Sequence, residues 1–522
     1  MYDLIIKNGE IVDGCGNEPY FADIAVKDGK IIKIAAGITD PSVKTVDATG
    51  LTVTPGFIDS HSHADSAVIT HPMQKEKIEQ GITTAIAGMC GTSSAPLPIY
   101  HEKSDEIEYP GIGTNTEICK TMSSYLKTTR NIPQGCNIAM FVGHSALRKA
   151  AMGMANRKPT PDELEKMKEL VRDAMDAGAY GMSIGLYYTP GNFSDEHEII
   201  ELAKVVAEKG GVLSAHIRGE GDSLIESSEE FLRIVKASGV RGVHSHIKAS
   251  NERNFGKVKT VLEMIGKANE EGFEVYCDVY PYIAAATSLS ASFVPPHMRA
   301  DRMTIPTLTN PESREMAKQI KRAAYNTEPD FSWVLVTYAK NRPDVIGKRV
   351  NEIAKERGCD VFDAVYDIIV DSGDNTSACY FSMSEEDVET AIQHPRAMIC
   401  TDSGVSKGKT VYHPRLRASF PRAIGRYARD GKLLPLTEII RKTTSLPAYV
   451  YGLQGKGQIK EGFDADICIF DKNAFIDKAD FTNCTIGCEG LNYVIVSGEI
   501  AAENAIQNDK RLGKVLMKSS NT

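Results

Sequence analysis

Hydrophobic residues follow two different patterns along the chain, and the pattern changes near residue 55. Residues 2 to 53 contain short apolar runs such as "DLIIKNGEIVDG" and "ADIAVKDGKIIKIA", punctuated by the turn signals Asn8-Gly9 and Asp28-Gly29. The stretches "GQIKEGFDADICIFD" and "LNYVIVSGEIAAE" near the other end repeat this pattern. We therefore predict that residues 1–54 and 452–522 join in one small β-sandwich built from both termini.

Between residues 55 and about 450, apolar β-rich runs alternate with amphipathic helical stretches such as "TPDELEKMKELVRDAMDAGA", which is typical of βα units and a parallel sheet. Eight predicted strands end in "FIDSHSH", "TTAIAGMC", "IAMFVGH", "GMSIGLYY", "GVLSAHIR", "GVHSHIK", "FEVYCDVYPY" and "AMICTDSG". Eight such units predict an α/β fold, a (β/α)8 TIM barrel whose active site lies at the C-terminal ends of its strands. The barrel is expected to cover residues 55–286 and 346–451.

The segment 287–345, which begins "TSLSASFVPPHMRADRMTIPTLTN", is longer than an ordinary βα loop. It follows the seventh predicted strand. We interpret it as an inserted subdomain or lid.

Composition excludes several classes of protein. A chain of 522 residues predicts more than one domain, and its net charge of -9 argues against nucleic acid or an anionic membrane as partner. The N-terminus lacks a basic signal region, and no apolar run reaches the roughly 18 residues of a membrane span. Eleven cysteines without paired spacing do not suggest disulfides. We expect a cytoplasmic protein.

Residues that can bind metals recur where the predicted strands end. Taken singly, each has an ordinary explanation, such as a hydrogen-bonded histidine, a buried cysteine or a helix cap. Residues at i and i+2 of a strand share a face, so the two histidines of "HSH" are expected to point the same way. Their joint occurrence predicts a metal site formed by His61, His63, Cys90, His216 and His246.

Imidazoles with a thiolate suit Zn²⁺ better than Mg²⁺ or Ca²⁺. A catalytic zinc site leaves a position for water, whose pKa falls to about 7. Asp402, in "CTDSG", can accept the proton of that water and pass it on. Zinc hydroxide beside a carboxylate indicates a hydrolase.

"GFIDSHSHAD" and "GQIKEGFDADICIFD" resemble the amidohydrolase superfamily. The motifs "GMCG", "SIGLYYTPG", "AHIRGEGD", "SHIKAS", "DVYPY", "CTDSG" and "HPRLRASFPR" resemble the N-acyl-D-amino-acid deacylases over nearly the whole chain. The resemblance implies a zinc cofactor and a small-molecule N-acyl-D-amino acid as substrate, cleaved to a carboxylate and a free D-amino acid. The preference for D-substrates depends on the resemblance alone.

The resemblance also implies roles for the metal-binding residues. The tightly bound zinc is held by Cys90, His216 and His246. The pair His61 and His63 belongs to a second, weaker site that Cys90 bridges.

Asp402 matches the catalytic acid/base of that family. Lys248, Tyr282 and Arg415 match positions that hold the α-carboxylate, and Tyr188 lies where its hydroxyl can support the oxyanion. Three of them have an alternative interpretation: Tyr282 as core aromatic packing, Lys248 as a solvated surface charge and Arg415 as a structural ion pair. His144 is interpreted as structural, and His244 is left out because a shift of one residue in register reverses its face.

Two other functions remain as alternatives. Cyclic amidases of the hydantoinase or dihydroorotase kind commonly bridge their metals with a carboxylated lysine at the end of strand four, but "GMSIGLYY" has no lysine. A non-catalytic scaffold protein has no chemical need for a complete set of ligands and acid/base.

The preferred side chain is expected to be neutral. The loop "IAAATSLSASFVPPHM" carries no charge before Arg299, and a buried acidic side chain needs a cation. Arg299 or Arg302 on a mobile lid could fold back and supply one. The oligomeric state is not predicted.

Overall fold

The computed structural model describes residues 1–102, 105–325, 328–406 and 411–519. Its centre is a barrel of eight strands, each parallel to its sheet neighbour and arranged in chain order. This confirms the predicted (β/α)8 barrel. Barrel strands 1 to 8 are Phe57–Ser62, Ile82–Ala87, Asn137–Gly143, Gly181–Gly185, Val212–His216, Arg241–His244, Val275–Val279 and Ala397–Ile399.

Barrel strands 1 and 8 meet just beyond their C-terminal ends. The backbone N–H of Asp402 donates to the carbonyl of His61 at 2.9 Å, and that of His63 donates to the carbonyl of Ser403 at 3.1 Å. Barrel strand 1 ends at Ser62, one residue before His63. This closure brings Asp402 beside the two histidines of "HSH".

Amphipathic helices surround the barrel. In Pro161–Asp176, Thr160 and Glu163 form a capping box, and the buried positions Met167, Leu170, Val171 and Ala174 recur at helical spacing. The barrel helices are Ala67–Thr70, Lys75–Ile78, Asn115–Ile118, Met122–Thr129, His144–Met152, Pro161–Asp176, Glu196–Glu208, Leu224–Ser238, Lys257–Glu270, Glu385–Gln393, Arg415–Arg422, Ala423–Asp430, Leu436–Thr443 and Ser445–Tyr451. Within the described ranges, no helix is long and apolar enough to cross a membrane.

Both termini build the second domain as one nine-stranded mixed sheet. Side chains from almost all of its strands meet in one hydrophobic cluster, so the sheet folds over on itself. Val515–Leu516 instead pairs with barrel strand 3, so the end of the predicted range 452–522 belongs to the barrel sheet. The strands of the terminal domain are Tyr2–Ile11, Tyr20–Lys27, Lys30–Ala35, Ser42–Asp47, Thr52–Pro55, Ile467–Phe470, Leu491–Val496, Glu499–Glu503 and Ile506–Gln507.

The insertion after barrel strand 7 has its own three-stranded sheet and its own hydrophobic cluster. It runs to residue 380, beyond the predicted end at 345, because its last strand pairs with its first two and not with the barrel. Its strands are Ala285–Thr287, Val334–Ala339 and Thr376–Tyr380, and its helices are Leu289–Phe293, Pro296–Arg302, Thr304–Thr309, Pro311–Arg322, Pro343–Val345, Val350–Arg357 and Val361–Asp371.

Candidate active site

A cavity of about 590 Å³ lies at the C-terminal ends of the barrel strands. The barrel contributes His63, Cys90 and Asp402 to its wall, and the insertion contributes Lys321 and Trp333, among other residues. The cavity is therefore shared between the part of the chain that carries the predicted ligands and the part that covers them.

The predicted metal ligands come together around Cys90. Its Sγ lies 3.2 Å from Nε2 of His61 and 3.3 Å from Nε2 of His246. Donor atoms of these three residues and of Asp402 all lie within 4.8 Å of one another. Thiolate, imidazole and carboxylate donors at such distances suit Zn²⁺.

His216 lies beside this group, with its ring centroid 4.4 Å from that of His246. It is buried, and neither of its ring nitrogens has a hydrogen-bond partner among the described residues. Its Nε2 faces the carboxylate of Glu220 at 3.7 Å, which is too far for a hydrogen bond, and a buried imidazole without hydrogen bonds is costly unless a ligand such as a metal ion satisfies it. The donor set and this unpartnered ring both fit a zinc ion.

The local electrostatics favour the thiolate that a zinc site needs. Burial opposes ionisation of Cys90, but the imidazoles of His61 and His246 hold the pKa of the thiol well below its usual value. Gly185 makes room for this residue, because a Cβ there would lie 2.1 Å from the carbonyl oxygen of Cys90. The glycine thus lets the backbone of Cys90 approach barrel strand 4 closely.

Three of the site residues have left-handed backbone conformations. The φ angles are 54° at Cys90, 34° at His246 and 45° at Asp402. Non-glycine residues rarely adopt this region, and such strain clusters at functional sites. The backbone turns at each strand end so that these three side chains face the same point.

Asp402 is held between a cation and the histidines. Its carboxylate lies 2.7 Å from Arg415 and 3.0 Å from Nε2 of His63. Burial would raise the pKa of Asp402, but the Arg415 guanidinium, with smaller contributions from the histidines, holds it well below the usual value. The group is therefore a carboxylate at neutral pH.

Two acidic residues of the site do not follow from the sequence pattern. Glu220 lies 2.6 Å from Nζ of Lys248 and 3.0 Å from Nδ1 of His246. Asp278 accepts a hydrogen bond from the backbone N–H of His246 at 2.5 Å and faces Nδ1 of His61 at 3.5 Å. Carboxylates behind ligating histidines orient their rings. An acidic residue four positions after His216 is the signal that could have identified Glu220.

Tyr282, predicted to bind the α-carboxylate, does not line the cavity. Its ring packs between His413 and Phe481, outside the site. Tyr280 lines the cavity instead. Both tyrosines follow the end of barrel strand 7 at Val279, where strand alternation no longer fixes which side chain points inward.

The two predicted clamp cations lie near the ring of Tyr280. Nζ of Lys248 lies 5.6 Å from its centroid, and the guanidinium carbon of Arg415 lies 4.6 Å from it. Cation–π contacts of this kind hold the cations in position. The structure thus brings Lys248 and Arg415 together, each already beside a carboxylate.

Tyr188 also lines the cavity, and its oxygen accepts a hydrogen bond from Thr287 at 3.2 Å. Burial, reinforced by the charge of Cys90, raises its pKa well above the usual value. The phenol therefore remains protonated and can donate.

The two histidines left out of the predicted site do not line the cavity. His144 pairs with Glu198 at 2.7 Å, and His244 lies 3.2 Å from the hydroxyl of Ser228. Both are buried in the barrel wall.

The fold and the site define a metal-dependent hydrolase of the barrel type, and comparisons with known proteins give its family. The Amidohydrolase family matches residues 44–275 and 345–502. The D-aminoacylase of Alcaligenes xylosoxydans xylosoxydans is 32% identical over 99% of this chain and 98% of its own. The N-acyl-D-glutamate deacylase of that organism is 32% identical over 95% and 93%.

A solved structure is similarly close. The N-acyl-D-glutamate deacylase of Bordetella bronchiseptica, complexed with zinc and a phosphonate mimic of the tetrahedral intermediate, has a TM-score of 0.83 and 31% identity over 99% of each chain. The chain therefore belongs to the amidohydrolase family. The predicted resemblance to N-acyl-D-amino-acid deacylases is confirmed.

Cyclic amidases are more distant. A D-hydantoinase from Thermus sp. has a TM-score of 0.56 at 16% identity, which shows a shared fold only. Barrel strand 4, Gly181–Gly185, carries no lysine that could bridge two metals.

Proposed function

We propose that this protein is a zinc-dependent N-acyl-D-amino-acid deacylase, which hydrolyses the amide to a carboxylate and a free D-amino acid. The observation that carries the proposal is the position of Cys90 between His61 and His246, beside an Asp402 that Arg415 holds ionised. The related D-aminoacylase and N-acyl-D-glutamate deacylase support the same substrate class.

Cys90, His216 and His246 would hold one zinc ion tightly, and His61 and His63 with Cys90 would form a second, weaker position. Bound zinc supplies a Lewis acid that polarises the scissile carbonyl and lowers the pKa of water to about 7. Four of these five residues are buried in the barrel: His61, Cys90, His216 and His246.

The protein groups would carry the proton and orient the substrate. Asp402 takes the proton of the attacking water and delivers it to the leaving nitrogen, which must be protonated before the amine can depart. The protonated phenol of Tyr188 donates to the carbonyl oxygen as negative charge develops there. Lys248 and Arg415, which both contact the ring of Tyr280, hold the α-carboxylate of the substrate.

The cytoplasmic location and the absence of a nucleic-acid or membrane partner stay predictions. All eleven cysteines are free in the structure, as expected in a reducing cytoplasm. We propose a small-molecule substrate and no nucleic-acid or membrane partner.

The direct test is hydrolysis of paired N-acetyl-D- and N-acetyl-L-amino acids by zinc-loaded protein, with Asp402→Asn as the control for contaminating activity. We expect turnover of D-substrates only. A preference for L-substrates, or hydrolysis of hydantoin or dihydroorotate in their place, would contradict the proposal. A protein that binds zinc but cleaves no amide would favour the scaffold alternative.

A further inference from the structure

The part of the cavity wall that the insertion supplies carries a cation without a counter-ion. Lys321 lies in the last turn of the helix Pro311–Arg322 and lines the cavity. Among the described residues it forms no ion pair. The other cations that line the cavity are all paired, as Lys248 with Glu220, Arg415 with Asp402 and Arg218 with Glu230.

A second shielded cation of the insertion is Arg299, in the helix Pro296–Arg302. Arg299 is only 8% exposed, its Nε has no hydrogen-bond partner, and it forms no ion pair with any residue described. Its charge acts on Lys321 and on the hydroxyl of Tyr187, another cavity residue. Burial lowers the pKa of Arg299 and the charge of Asp374 opposes that shift, but the two residues do not form an ion pair.

Lys321 is only partly exposed and Arg299 is buried, and cations so shielded from solvent are costly unless an anion compensates them. Hydroxyl groups on the same wall, of Tyr187 and Ser292, can complete the coordination of an oxyanion. The sequence predicts a neutral pocket because the loop before Arg299 lacks charge. That prediction considered only the loop. In the structure a cation of the cavity wall, Lys321, comes from a later helix of the insertion.

We propose that Lys321, reinforced by Arg299, binds a carboxylate on the side chain of the substrate, so that N-acyl-D-amino acids with an acidic side chain are preferred. This inference rests on the proposed deacylase function. The α-carboxylate is a different group and is adjacent to the scissile nitrogen. Lys248, which contacts His246, and Arg415, which contacts Asp402, are the cations beside that centre.

The test compares N-acetyl-D-glutamate with N-acetyl-D-glutamine, which has the same shape but no side-chain charge, and with N-acetyl-D-methionine. The proteins are zinc-loaded wild type, Lys321→Met, Lys321→Arg and Lys340→Met. Lys340 is an exposed lysine of the insertion that does not line the cavity, so its loss controls for net charge. Thermal unfolding of each variant verifies that it is folded.

A charge-assisted hydrogen bond in such a site is worth roughly 10- to 100-fold in kcat/KM. We expect wild type to favour the glutamate derivative over the glutamine derivative by about that factor. Lys321→Met should abolish this preference while leaving the two neutral substrates nearly unchanged. Lys321→Arg should retain most of it, and Lys340→Met should retain all of it.

Three results would overturn the inference. An equal loss for all three substrates in Lys321→Met would assign the α-carboxylate to this lysine. An unchanged preference would remove Lys321 from substrate binding. If N-succinyl-D-methionine were favoured through Lys321, the carboxylate site would belong to the acyl group.

Failure of the proposed function has a different signature, since wild type would then cleave none of the substrates. Calorimetric measurement of the binding of the glutamate and glutamine derivatives to wild type and Lys321→Met would still test whether Lys321 binds the side-chain carboxylate. Tighter binding of the glutamate derivative that is lost in Lys321→Met supports the anion site, and equal binding contradicts it.

Discussion

A fully buried lysine, Lys77, ties barrel strand 1 to the segment that carries Asp402. Its Nζ donates to Asp59 Oδ2 at 2.7 Å, to Thr401 Oγ1 at 2.8 Å and to the carbonyl of Ser403 at 3.0 Å. Neither side chain of the Lys77–Asp59 pair is exposed. We therefore expect Lys77→Met to destabilise the protein and to loosen the position of Asp402, the proposed acid/base.

The magnitude follows from what the substitution leaves behind. Removing one partner of a buried ion pair costs about 3–5 kcal/mol, because the other charge stays buried. Asp59 keeps the hydrogen bonds from the backbone N–H and the hydroxyl of Thr401, at 2.8 and 2.6 Å, and a longer one from the backbone N–H of His61 at 3.4 Å. This partial compensation predicts a cost near the lower limit, about 3 kcal/mol. Asp59→Asn combined with Lys77→Met should cost less than Lys77→Met alone, since no uncompensated charge remains.

The assay is urea unfolding followed by circular dichroism, with all variants at the same zinc content. The midpoints are compared under identical conditions, because a chain with several domains need not unfold in one step. Lys75→Met is the matched control: Lys75 is 57% exposed and lies 3.5 Å from Glu79, so its loss should change stability by less than about 0.5 kcal/mol. Equal effects of Lys75→Met and Lys77→Met, or a double variant less stable than Lys77→Met, would refute the reasoning.

Three further predictions concern the site. Cys90→Ala should lose the tightly held zinc in metal analysis after dialysis, whereas His63→Ala should keep most of it; equal losses would contradict the two-site assignment. Asp402→Asn should lower kcat by about 10²- to 10⁴-fold at unchanged zinc content, because an amide cannot accept the proton; normal turnover would assign proton transfer elsewhere. Burial and Arg299 lower the pKa of Lys321 to about 8, so the lysine is charged below that pH and neutral above it. The glutamate-to-glutamine ratio of kcat/KM should therefore fall as pH rises through about 8 in wild type and stay level in Lys321→Arg; a constant ratio in wild type would exclude Lys321 as its source.

The barrel and the clustering of the potential metal ligands could be predicted because both depend on local patterns. An apolar run that ends in histidine, cysteine or aspartate identifies a strand and its C-terminal end together. Parallel closure then brings all such ends to one rim, as the contact of Asp402 with His61 shows. This pattern accounts for the position of Cys90, His216 and His246 at one rim, whereas their role as zinc ligands stays a prediction.

Residues beyond the strand ends could not be assigned in this way. Tyr280 and Tyr282 are two positions apart, yet only Tyr280 lines the cavity, because the chain after Val279 is no longer extended in the sheet. Asp278 lies within a strand, but nothing local indicates that it faces His61. These roles depend on distances between elements, which the spacing of residues along the chain does not determine.

The extent of the insertion was misjudged for a related reason. The helices Val350–Arg357 and Val361–Asp371 and the strand Thr376–Tyr380 have the αβ order of the barrel itself. Pairing alone distinguishes them, since Thr376–Tyr380 is antiparallel to its neighbours whereas every barrel pair is parallel.

The positive charge that Lys321 places on the cavity wall could not be predicted from sequence patterns. The sequence of the helix Pro311–Arg322 is typical of a polar surface helix. As expected for such a helix, Lys318 forms an ion pair with Asp363 at 2.6 Å. Lys321 is one turn later on the same helix and has the same chemistry, yet it lines the cavity beside Arg299. Only the packing of the insertion against the barrel separates the two lysines. In this chain the predicted metal site lies in the barrel and the proposed selecting cation lies in the insertion, so we expect substitutions at Lys321 to change selectivity for the side chain without changing the barrel residues of the site.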